Sequence, residues 1–340
     1  MSHANALPIH RPRLLVARRI FPEVLARLAE HFEVVPSQDC PGGLQGPALV
    51  AALQGCQAVF VGAVERIDAD VLAACPELRA VCSMAVGTNN IDIAACTARG
   101  VLVSNAPDVL TETTADFGFA LMMAAARRIT EAEHFVRAGR WQHWSYDLLA
   151  GADIHGRTLG ILGMGRIGQA IARRGVHGFG MKLAYHNRSR LPAEVEAGLG
   201  GARWLSKEAL LREADHLVLV LPYSPAAHHA IGAAELALMK PTATLTNIAR
   251  GGIVDDVALI EALRQRRIAA AGLDVFEGEP AFHPGFLALD NVVLTPHIAS
   301  ASLATRRAMA DLACDNLIAA ATGGVPPTAL NPQVLPLRWG

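Results

Sequence analysis

The sequence predicts an α/β protein built on two parallel sheets. Short apolar runs typical of buried strands alternate with helical patterns from one end of the chain to the other. The 340 residues suit two domains better than one, and 52% hydrophobic residues provide material for two cores. A glycine-rich loop at residues 163–168 also joins an apolar run to a helical pattern, which is typical of a parallel sheet.

The elements fall into two sets in chain order. The predicted strands of the first set are 14–17, 33–35, 58–62, 78–82 and 101–103, with helices at 23–31 and 69–75. A longer helix at 113–128 has apolar residues on all sides, which indicates a core element or a subunit interface. The strands of the second set are 158–162, 183–185, 217–221, 244–247, 270–275 and 292–294, followed by helices at 256–266 and, last, 303–321.

Composition excludes several classes of partner. Thirty basic and 31 acidic residues give a net charge of −1, so neither nucleic acid nor an anionic membrane is an expected partner. Residues 1–13 lack the apolar core of a signal peptide, and the apolar stretch 117–126 is too short to span a bilayer. The six cysteines show no C-x-x-C spacing, so we expect buried thiols in a cytoplasmic protein and no metal site.

The glycine loop has the spacing of a dinucleotide site. Gly163 would permit a tight turn, Gly165 would let backbone N–H groups approach a pyrophosphate, and Gly168 would let helix and strand pack closely. Arg166 and Ile167, in the middle of the loop, are the residues expected to touch the pyrophosphate.

The strand after the loop indicates which dinucleotide binds. An acidic residue about 20 positions beyond the glycines usually binds the ribose 2′-hydroxyl. Here that strand ends in His-Asn-Arg-Ser-Arg (186–190), without a carboxylate. Arg188 and Ser189 are able to pair with a 2′-phosphate, and Arg190 adds positive potential. We therefore expect NADPH in preference to NADH; the alternative is a solvated basic turn.

Three later strands end in polar residues that a packed core would not use. Arg250 follows the strand 244–247, Glu279 follows 270–275, and His297 follows 292–294. Because the carboxyl ends of parallel strands lie at the ligand-binding edge of a doubly wound sheet, these side chains should converge. Taken singly, each has an ordinary alternative: a surface ion pair for Arg250, a solvated loop acid for Glu279 and a capping imidazole for His297.

With these motifs in view, the chain resembles the D-isomer-specific 2-hydroxyacid dehydrogenase family. Within that family it is most similar to the glyoxylate/hydroxypyruvate and 2-ketogluconate reductase group. The resemblance spans roughly residues 60 to 320 and is carried by the segments 86–92, 114–116, 160–168, 187–189, 247–255, 272–280 and 296–300.

The resemblance implies a domain organisation that periodicity does not show. A Rossmann nucleotide domain at 108–299 would be inserted in a flavodoxin-like substrate domain made of 1–107 and 300–340. The family's catalytic Arg, Glu and His map onto Arg250, Glu279 and His297, and its substrate-carboxylate loop maps onto the backbone of Val86 and Gly87.

The implied reaction is reduction of a small 2-oxoacid to the D-2-hydroxyacid. Arg250 would bind the carboxylate and polarise the carbonyl, His297 would donate the proton, and Glu279 would orient the imidazole. Asp274 would lie beside the nicotinamide amide or, alternatively, make a loop hydrogen bond. The expected cofactor contacts are Gly163, Gly165, Arg166, Ile167, Gly168, Asn187, Arg188, Ser189, Leu221, Pro222, Ile248, Ala249, Arg250, Asp274, His297 and Ala299.

Some alternatives remain open at this stage. The same fold also occurs in nucleotide-sensing binding proteins without enzymatic activity, and a phosphite or secondary-alcohol oxidiser would share the Arg–Glu–His order. The family implies a homodimer. Trp141 and Trp144 would either reach the partner's substrate pocket or pack in an interface or core.

Overall fold

The computed structural model describes residues 11–36, 42–337 and 339. The chain divides into two compact units, one comprising residues up to Leu110 together with those from Ser302 onwards, the other Thr111–Ala301. Within the described residues the strands are β1 (Arg13–Val16), β2 (Glu33–Pro36), β3 (Ala58–Val61), β4 (Ala80–Ser83), β5 (Leu102–Ser104), β6 (Thr158–Leu162), β7 (Lys182–His186), β8 (Arg203–Trp204), β9 (His216–Leu219), β10 (Thr244–Asn247), β11 (Ala270–Leu273) and β12 (Val292–Leu294).

Most of the helices connect successive strands, and the last one follows the final strand. They are α1 (Pro22–His31), α2 (Gly46–Leu53), α3 (Ala69–Ala74), α4 (Ile93–Ala98), α5 (Thr111–Ala126), α6 (Ile129–Arg137), α7 (Arg166–Arg173), α8 (Ala193–Gly198), α9 (Lys207–Glu213), α10 (Ala233–Leu236), α11 (Asp256–Arg264) and α12 (Leu303–Ala321). Among the described residues, the structure contains no helix with the length and apolar character needed to cross a membrane.

Both sheets are parallel and doubly wound. The first unit has the order β2-β1-β3-β4-β5, which is the flavodoxin-like order. The second has the order β12-β11-β10-β9-β6-β7-β8, so the direction of winding reverses between β6 and β9 as in a Rossmann sheet. The predicted fold class is confirmed, and the reversal marks the crevice in which such sheets bind ligands.

The strands nearest the centre of each sheet are buried on both faces. All four residues of β3, β4, β9, β10 and β11 are buried, because helices lie on each side of a parallel sheet. Short polar side chains begin several helices: Asp255 accepts a hydrogen bond from the Ala258 amide at α11, and Ser302 accepts one from Thr305 at α12.

The long apolar helix predicted at 113–128 is α5, and it ends two residues early. Arg128 adopts a left-handed conformation with φ 55°, which separates α5 from α6. Gly118 and Gly272 allow α5 to pack closely, since a Cβ at either position would come within 2.8 Å of Ile248 or Leu121 side-chain atoms. The apolar surface of α5 is thus largely explained by packing inside its own unit.

The strand β8 and the helix α6 are among the elements that were not predicted. The strand β8 is two residues long and exposed, so it carries no apolar alternation. Helix α6 has no buried residue. The described cysteines are free and buried, while Cys40 lies outside the described residues. Burial raises the pKa of Cys82 to about 12, which makes this thiol a poor nucleophile.

Candidate active site

The glycine loop joins β6 to α7 and has room for a phosphate. Gly163 has φ 101°, and a Cβ there would lie 2.6 Å from the Leu221 amide nitrogen, so only glycine fits. Gly168 meets the Gly163 carbonyl oxygen in the same way, at 2.5 Å. By contrast, a Cβ on Gly165 would find no atom within 4 Å. Gly165 is the N-cap residue of α7, so this open space lies at the helix N-terminus, where a pyrophosphate fits.

Arg166 and Ile167 form that first turn of α7. Arg166 is exposed and Ile167 is half-buried against the core of the second unit. Both residues therefore lie at the N-terminus of α7, next to the open space at Gly165.

The turn after β7 lies next to the glycine loop. The Asn187 side-chain oxygen accepts a hydrogen bond from the Met164 amide at 2.7 Å, which joins the two segments. Arg188 and Ser189 follow and are exposed. Arg190 is already engaged, because its guanidinium forms an ion pair with Glu196 at 2.7 Å. Of the two arginines, Arg188 is the one available to a ligand.

The strand ends that carry Arg250, Glu279 and His297 are neighbours. Strands β10, β11 and β12 pair in parallel and in sequence, so their carboxyl ends open on one edge of the sheet. The His297 Nδ1 and the Glu279 Oε1 are 2.5 Å apart. The structure therefore brings the predicted carboxylate and imidazole together.

Glu279 is held in its ionised form. Burial acts to raise its pKa, but the hydrogen bond and charge of His297, the Phe276 amide and the Arg250 charge outweigh burial. The pKa of Glu279 thus lies below its ordinary value. The Phe276 N–H donates to the Glu279 Oε2 at 3.1 Å, so each carboxylate oxygen has a partner and the side chain has one orientation.

Arg250 is partly buried beside this pair. Burial lowers the pKa of Arg250 from its ordinary value, while the Glu279 carboxylate acts in the opposite direction. Its Nη1 donates to the Ala249 carbonyl at 2.7 Å. The next residue, Gly251, touches the loop of Glu279, since a Cβ there would lie 1.8 Å from the Phe276 carbonyl oxygen. The Arg250 and Glu279 loops are thus in direct contact.

Asp274 fixes the loop that carries His297. The side chain of Asp274 is fully buried, and its oxygens accept hydrogen bonds from the Thr295 hydroxyl, the Ile298 amide and the Ala299 amide at 2.7–2.8 Å. His297 itself has φ 55° and donates its amide to the Asp274 carbonyl oxygen. The arrangement corresponds to the alternative of a loop hydrogen bond; contact of Asp274 with the cofactor stays a prediction.

The remaining predicted contacts occupy several places. Ile248, Ala249 and Ala299 are buried, Leu221 is half-buried against the glycine loop and Pro222 is exposed. Val86 and Gly87 belong to the first unit, after β4, where both are half-buried. The Val86 carbonyl oxygen accepts a hydrogen bond from the Asn105 side chain at 2.8 Å, which orders this loop.

Comparison with known proteins decides the family. Residues 119–299 match the model described as D-isomer specific 2-hydroxyacid dehydrogenase, NAD binding domain. A glyoxylate reductase of Thermococcus onnurineus is 47% identical over 332 residues, covering 96% of this chain and 98% of that protein. The chain belongs to the D-isomer specific 2-hydroxyacid dehydrogenase family.

Solved structures agree with this assignment. An NADPH-dependent glyoxylate/hydroxypyruvate reductase from Sinorhizobium meliloti, in complex with NADP and malonate, has a TM-score of 0.84 at 36% identity, covering 96% of this chain and 99% of that one. The holo form of Rhodotorula graminis D-mandelate dehydrogenase has a TM-score of 0.82 at 28% identity, and the match covers 94% of this chain and 98% of that one. This D-2-hydroxyacid dehydrogenase is therefore an oxidoreductase that uses a nicotinamide dinucleotide.

One group of residues in this dehydrogenase was missed by sequence reasoning. His229, with φ 51°, contacts the Glu277 carboxylate at 3.1 Å and lies 3.9 Å from that of Asp255. The Glu277 amide donates to the Asp256 carboxylate at 3.2 Å. These contacts restrain Glu277, which lies two residues before Glu279 in the same loop. No sequence signal identified this group, because its residues come from three separate segments of the chain, one of which is the start of α11.

Asp256 gives the dehydrogenase a pH-dependent term in its stability. Asp256 is 8% exposed, and burial raises its pKa to about 6, although the Glu277 amide acts in the opposite direction. The carboxyl group of an unfolded chain titrates near 3.9. The stabilising contribution of the protonated form is therefore complete below about pH 4 and is lost as the pH rises through about 6.

We expect Asp256→Asn to stabilise the protein at about pH 8. The amide removes the cost of burying a charge, up to about 3 kcal/mol, and its oxygen is still able to accept the Glu277 N–H. Thermal unfolding at about pH 8 and pH 5 checks this, with a gain that shrinks toward the lower pH. Glu208→Gln, at an exposed position on α9, is the control. An unchanged or lower Tm of Asp256→Asn at pH 8 would refute the assignment.

Proposed function

We propose that this dehydrogenase reduces a small 2-oxoacid, of the glyoxylate, hydroxypyruvate or 2-ketogluconate type, to the D-2-hydroxyacid with NADPH. The observation that carries the proposal is the 2.5 Å contact between His297 and an ionised Glu279, beside the partly buried Arg250. Relatives that are glyoxylate reductases at 47% identity support the substrate class.

Each side chain has a definite part in the proposed reaction. Arg250 binds the substrate carboxylate and polarises the adjacent carbonyl through its guanidinium fork. The His297 Nδ1 is engaged with Glu279, so Nε2 is the nitrogen that faces the substrate and donates the proton to the carbonyl oxygen. Glu279 fixes the orientation of the ring. The backbone N–H groups of Val86 and Gly87 bind the substrate carboxylate.

The second unit would hold the cofactor. When bound, a reduced nicotinamide dinucleotide supplies the hydride that the substrate carbonyl carbon accepts. We assign residues 108–299 to cofactor binding, and residues 1–107 with 300–340 to the substrate. The glycine loop and the first turn of α7 would bind the pyrophosphate through backbone N–H groups. Arg188 and Ser189 would bind the 2′-phosphate, since Arg188 forms no ion pair with a described residue and the turn 186–191 has no carboxylate.

Initial rates with NADPH test the reaction. Loss of NADPH absorbance is measured with glyoxylate, hydroxypyruvate and 2-ketogluconate, and with a ketone lacking the carboxylate. We expect turnover of at least one 2-oxoacid and none of the ketone, because Arg250 needs a carboxylate partner. Turnover of none of these acids with NADPH or NADH would overturn the proposal.

Arg188→Ala tests the cofactor preference. Loss of a charge-assisted contact to the 2′-phosphate should raise the KM for NADPH about tenfold or more and leave the KM for NADH within about twofold. Arg212→Ala removes an exposed charge from α9, outside the turn, and should change neither value. Equal effects of Arg188→Ala on both cofactors would refute this use of Arg188.

The proposed homodimer has a candidate surface in residues 129–148, here called the aromatic face. Helix α6 has no buried residue, and Val136, Trp141, Trp144 and Tyr146 are 54%, 58%, 78% and 87% exposed. Four large apolar or aromatic side chains exposed within eleven residues of one another are more than the isolated exposed residues that a monomer ordinarily carries. We propose that a second copy of the chain covers this face, with either tryptophan free to reach the partner's substrate pocket.

A charge on this face should dissociate the dimer. We expect Val136→Asp to weaken self-association at least about tenfold, because a carboxylate would be buried without a partner. Val257→Asp, on α11 and 64% exposed in the same unit, is the matched control. Sedimentation velocity over a range of concentrations measures both. A Val136→Asp protein that associates like the control would place the interface elsewhere.

A further inference from the structure

The turn that carries Arg188 and Ser189 is fastened by a buried polar network. Tyr185, at the end of β7, is fully buried, and its hydroxyl donates to the Glu196 Oε1 at 2.6 Å. The same hydroxyl accepts a hydrogen bond from the Leu191 amide at 2.8 Å. Tyr185 thereby connects the far side of the turn both to the strand and to helix α8.

Glu196 completes the network from α8. Its side chain is 7% exposed and receives the Arg190 Nε at 2.9 Å and Nη2 at 2.7 Å. These hydrogen bonds from Arg190 and Tyr185 lower the pKa of Glu196 to about 2, against the effect of burial. A carboxylate with this many charge-assisted partners is ionised at neutral pH and is rigidly held.

The near side of the turn is fastened as well. The Asn187 side-chain oxygen accepts a hydrogen bond from the Met164 amide of the glycine loop. The backbone carbonyl oxygen of Asn187 accepts one from the Trp204 indole N–H at 3.1 Å. Between these two anchors lie Arg188 and Ser189, whose side chains make no hydrogen bond or ion pair with a described residue. Two free polar side chains thus stand on a backbone that is restrained on both sides.

We propose that Tyr185, Glu196 and Arg190 are positioning residues for cofactor selectivity. They hold the backbone of the turn in one conformation, so that Arg188 and Ser189 are already in place when the adenosine 2′-phosphate binds. This rests on the NADPH preference proposed above. A turn that is already ordered in the free protein increases the affinity for a ligand that contacts it. NADH lacks the 2′-phosphate and therefore gains nothing from this ordering. Because the charge of Arg190 is neutralised by Glu196, Arg188 supplies the positive charge that pairs with the 2′-phosphate.

Tyr185→Phe is the direct test, because it removes the hydroxyl and keeps both the ring and the net charge. Calorimetry compares 2′,5′-ADP with 5′-AMP, which probes the turn independently of turnover. We expect 2′,5′-ADP to bind about tenfold more weakly than to the wild type, with 5′-AMP binding unchanged. In steady-state assays the KM for NADPH should rise by a similar factor, with kcat and the KM for NADH maintained. Loss of 2′,5′-ADP and 5′-AMP binding in parallel would instead indicate a purely structural role.

Glu196→Gln adds a test in which electrostatics and positioning predict opposite changes in 2′,5′-ADP binding. Releasing Arg190 adds positive charge near the phosphate, so simple electrostatics predicts tighter binding of 2′,5′-ADP, whereas the positioning role predicts weaker binding. Glu194→Gln makes the same charge change at an exposed position on α8 and is the matched control. Tighter binding to Glu196→Gln would overturn the positioning role.

The wild-type result separates the two proposals. If the wild type binds 2′,5′-ADP no better than 5′-AMP, the NADPH preference itself fails and the positioning role fails with it. If the wild type prefers 2′,5′-ADP and Tyr185→Phe keeps the full preference, only the positioning role is wrong.

Discussion

Replacing His297 with alanine is expected to lower kcat about 10³-fold with the fold intact, the size of effect that loss of a general acid produces. The imidazole is the proton donor in the proposed reaction, and its Nδ1 is held by Glu279 at 2.5 Å. Alanine leaves the loop in place, because Asp274 binds the backbone amides of Ile298 and Ala299 rather than the imidazole ring.

The measurement is single-turnover reduction of the best 2-oxoacid with saturating NADPH, over a range of pH. With the imidazole removed, the residual rate should depend on proton transfer from water and should not follow the pH profile of the wild type. His177→Ala, at an exposed position after α7, should behave as wild type. Near-wild-type turnover of His297→Ala with a wild-type pH profile would exclude His297 as the acid.

Arg250→Lys is expected to lower kcat/KM about 10²-fold or more, although the positive charge is retained. A guanidinium binds a carboxylate through two parallel N–H groups, and an ammonium does not reproduce that geometry. Because Arg250 is proposed both to bind the carboxylate and to polarise the carbonyl, the loss should appear in kcat as well as in KM.

Thermal unfolding provides the folding control for Arg250. Arg250 is also among the expected cofactor contacts, so a Tm close to the wild-type value, rather than unchanged NADPH affinity, would show that the variant remains folded. A variant with a raised KM for the 2-oxoacid but an unchanged kcat would limit Arg250 to substrate binding. Wild-type values for both would remove it from the reaction.

Sequence reasoning succeeded where the signal is local. A Cβ on Gly168 would meet the Gly163 carbonyl oxygen five residues earlier, a requirement that the glycine spacing itself reports, whereas Gly163 is also constrained by the distant Leu221 backbone. The polar residues after β10, β11 and β12 were placed on one edge by the rule for parallel strands, and the structure brings Glu279 and His297 into contact. Strand limits such as those of β6, β10 and β12 were also predicted, because each strand is a short run that ends at or just before a polar or turn-forming residue.

The parts that could not be predicted depend on contacts between distant segments. Nothing near Asp256 in the sequence indicates that the Glu277 amide will bind it, or that burial will raise its pKa to about 6. Arg190 was expected to add positive potential for a ligand, whereas the structure pairs it with Glu196. Short range patterns do not specify which of two neighbouring arginines is already neutralised.

The close approach of Gly251 to the Phe276 carbonyl has a consequence for altering the enzyme. Any side chain at position 251 would push apart the loops that carry Arg250 and Glu279, so this position should accept no other residue in a mutational library. Efforts to change the proposed substrate range would then have to keep glycine at this position. The loops that carry Arg250 and Glu279 would therefore remain in contact in every folded variant.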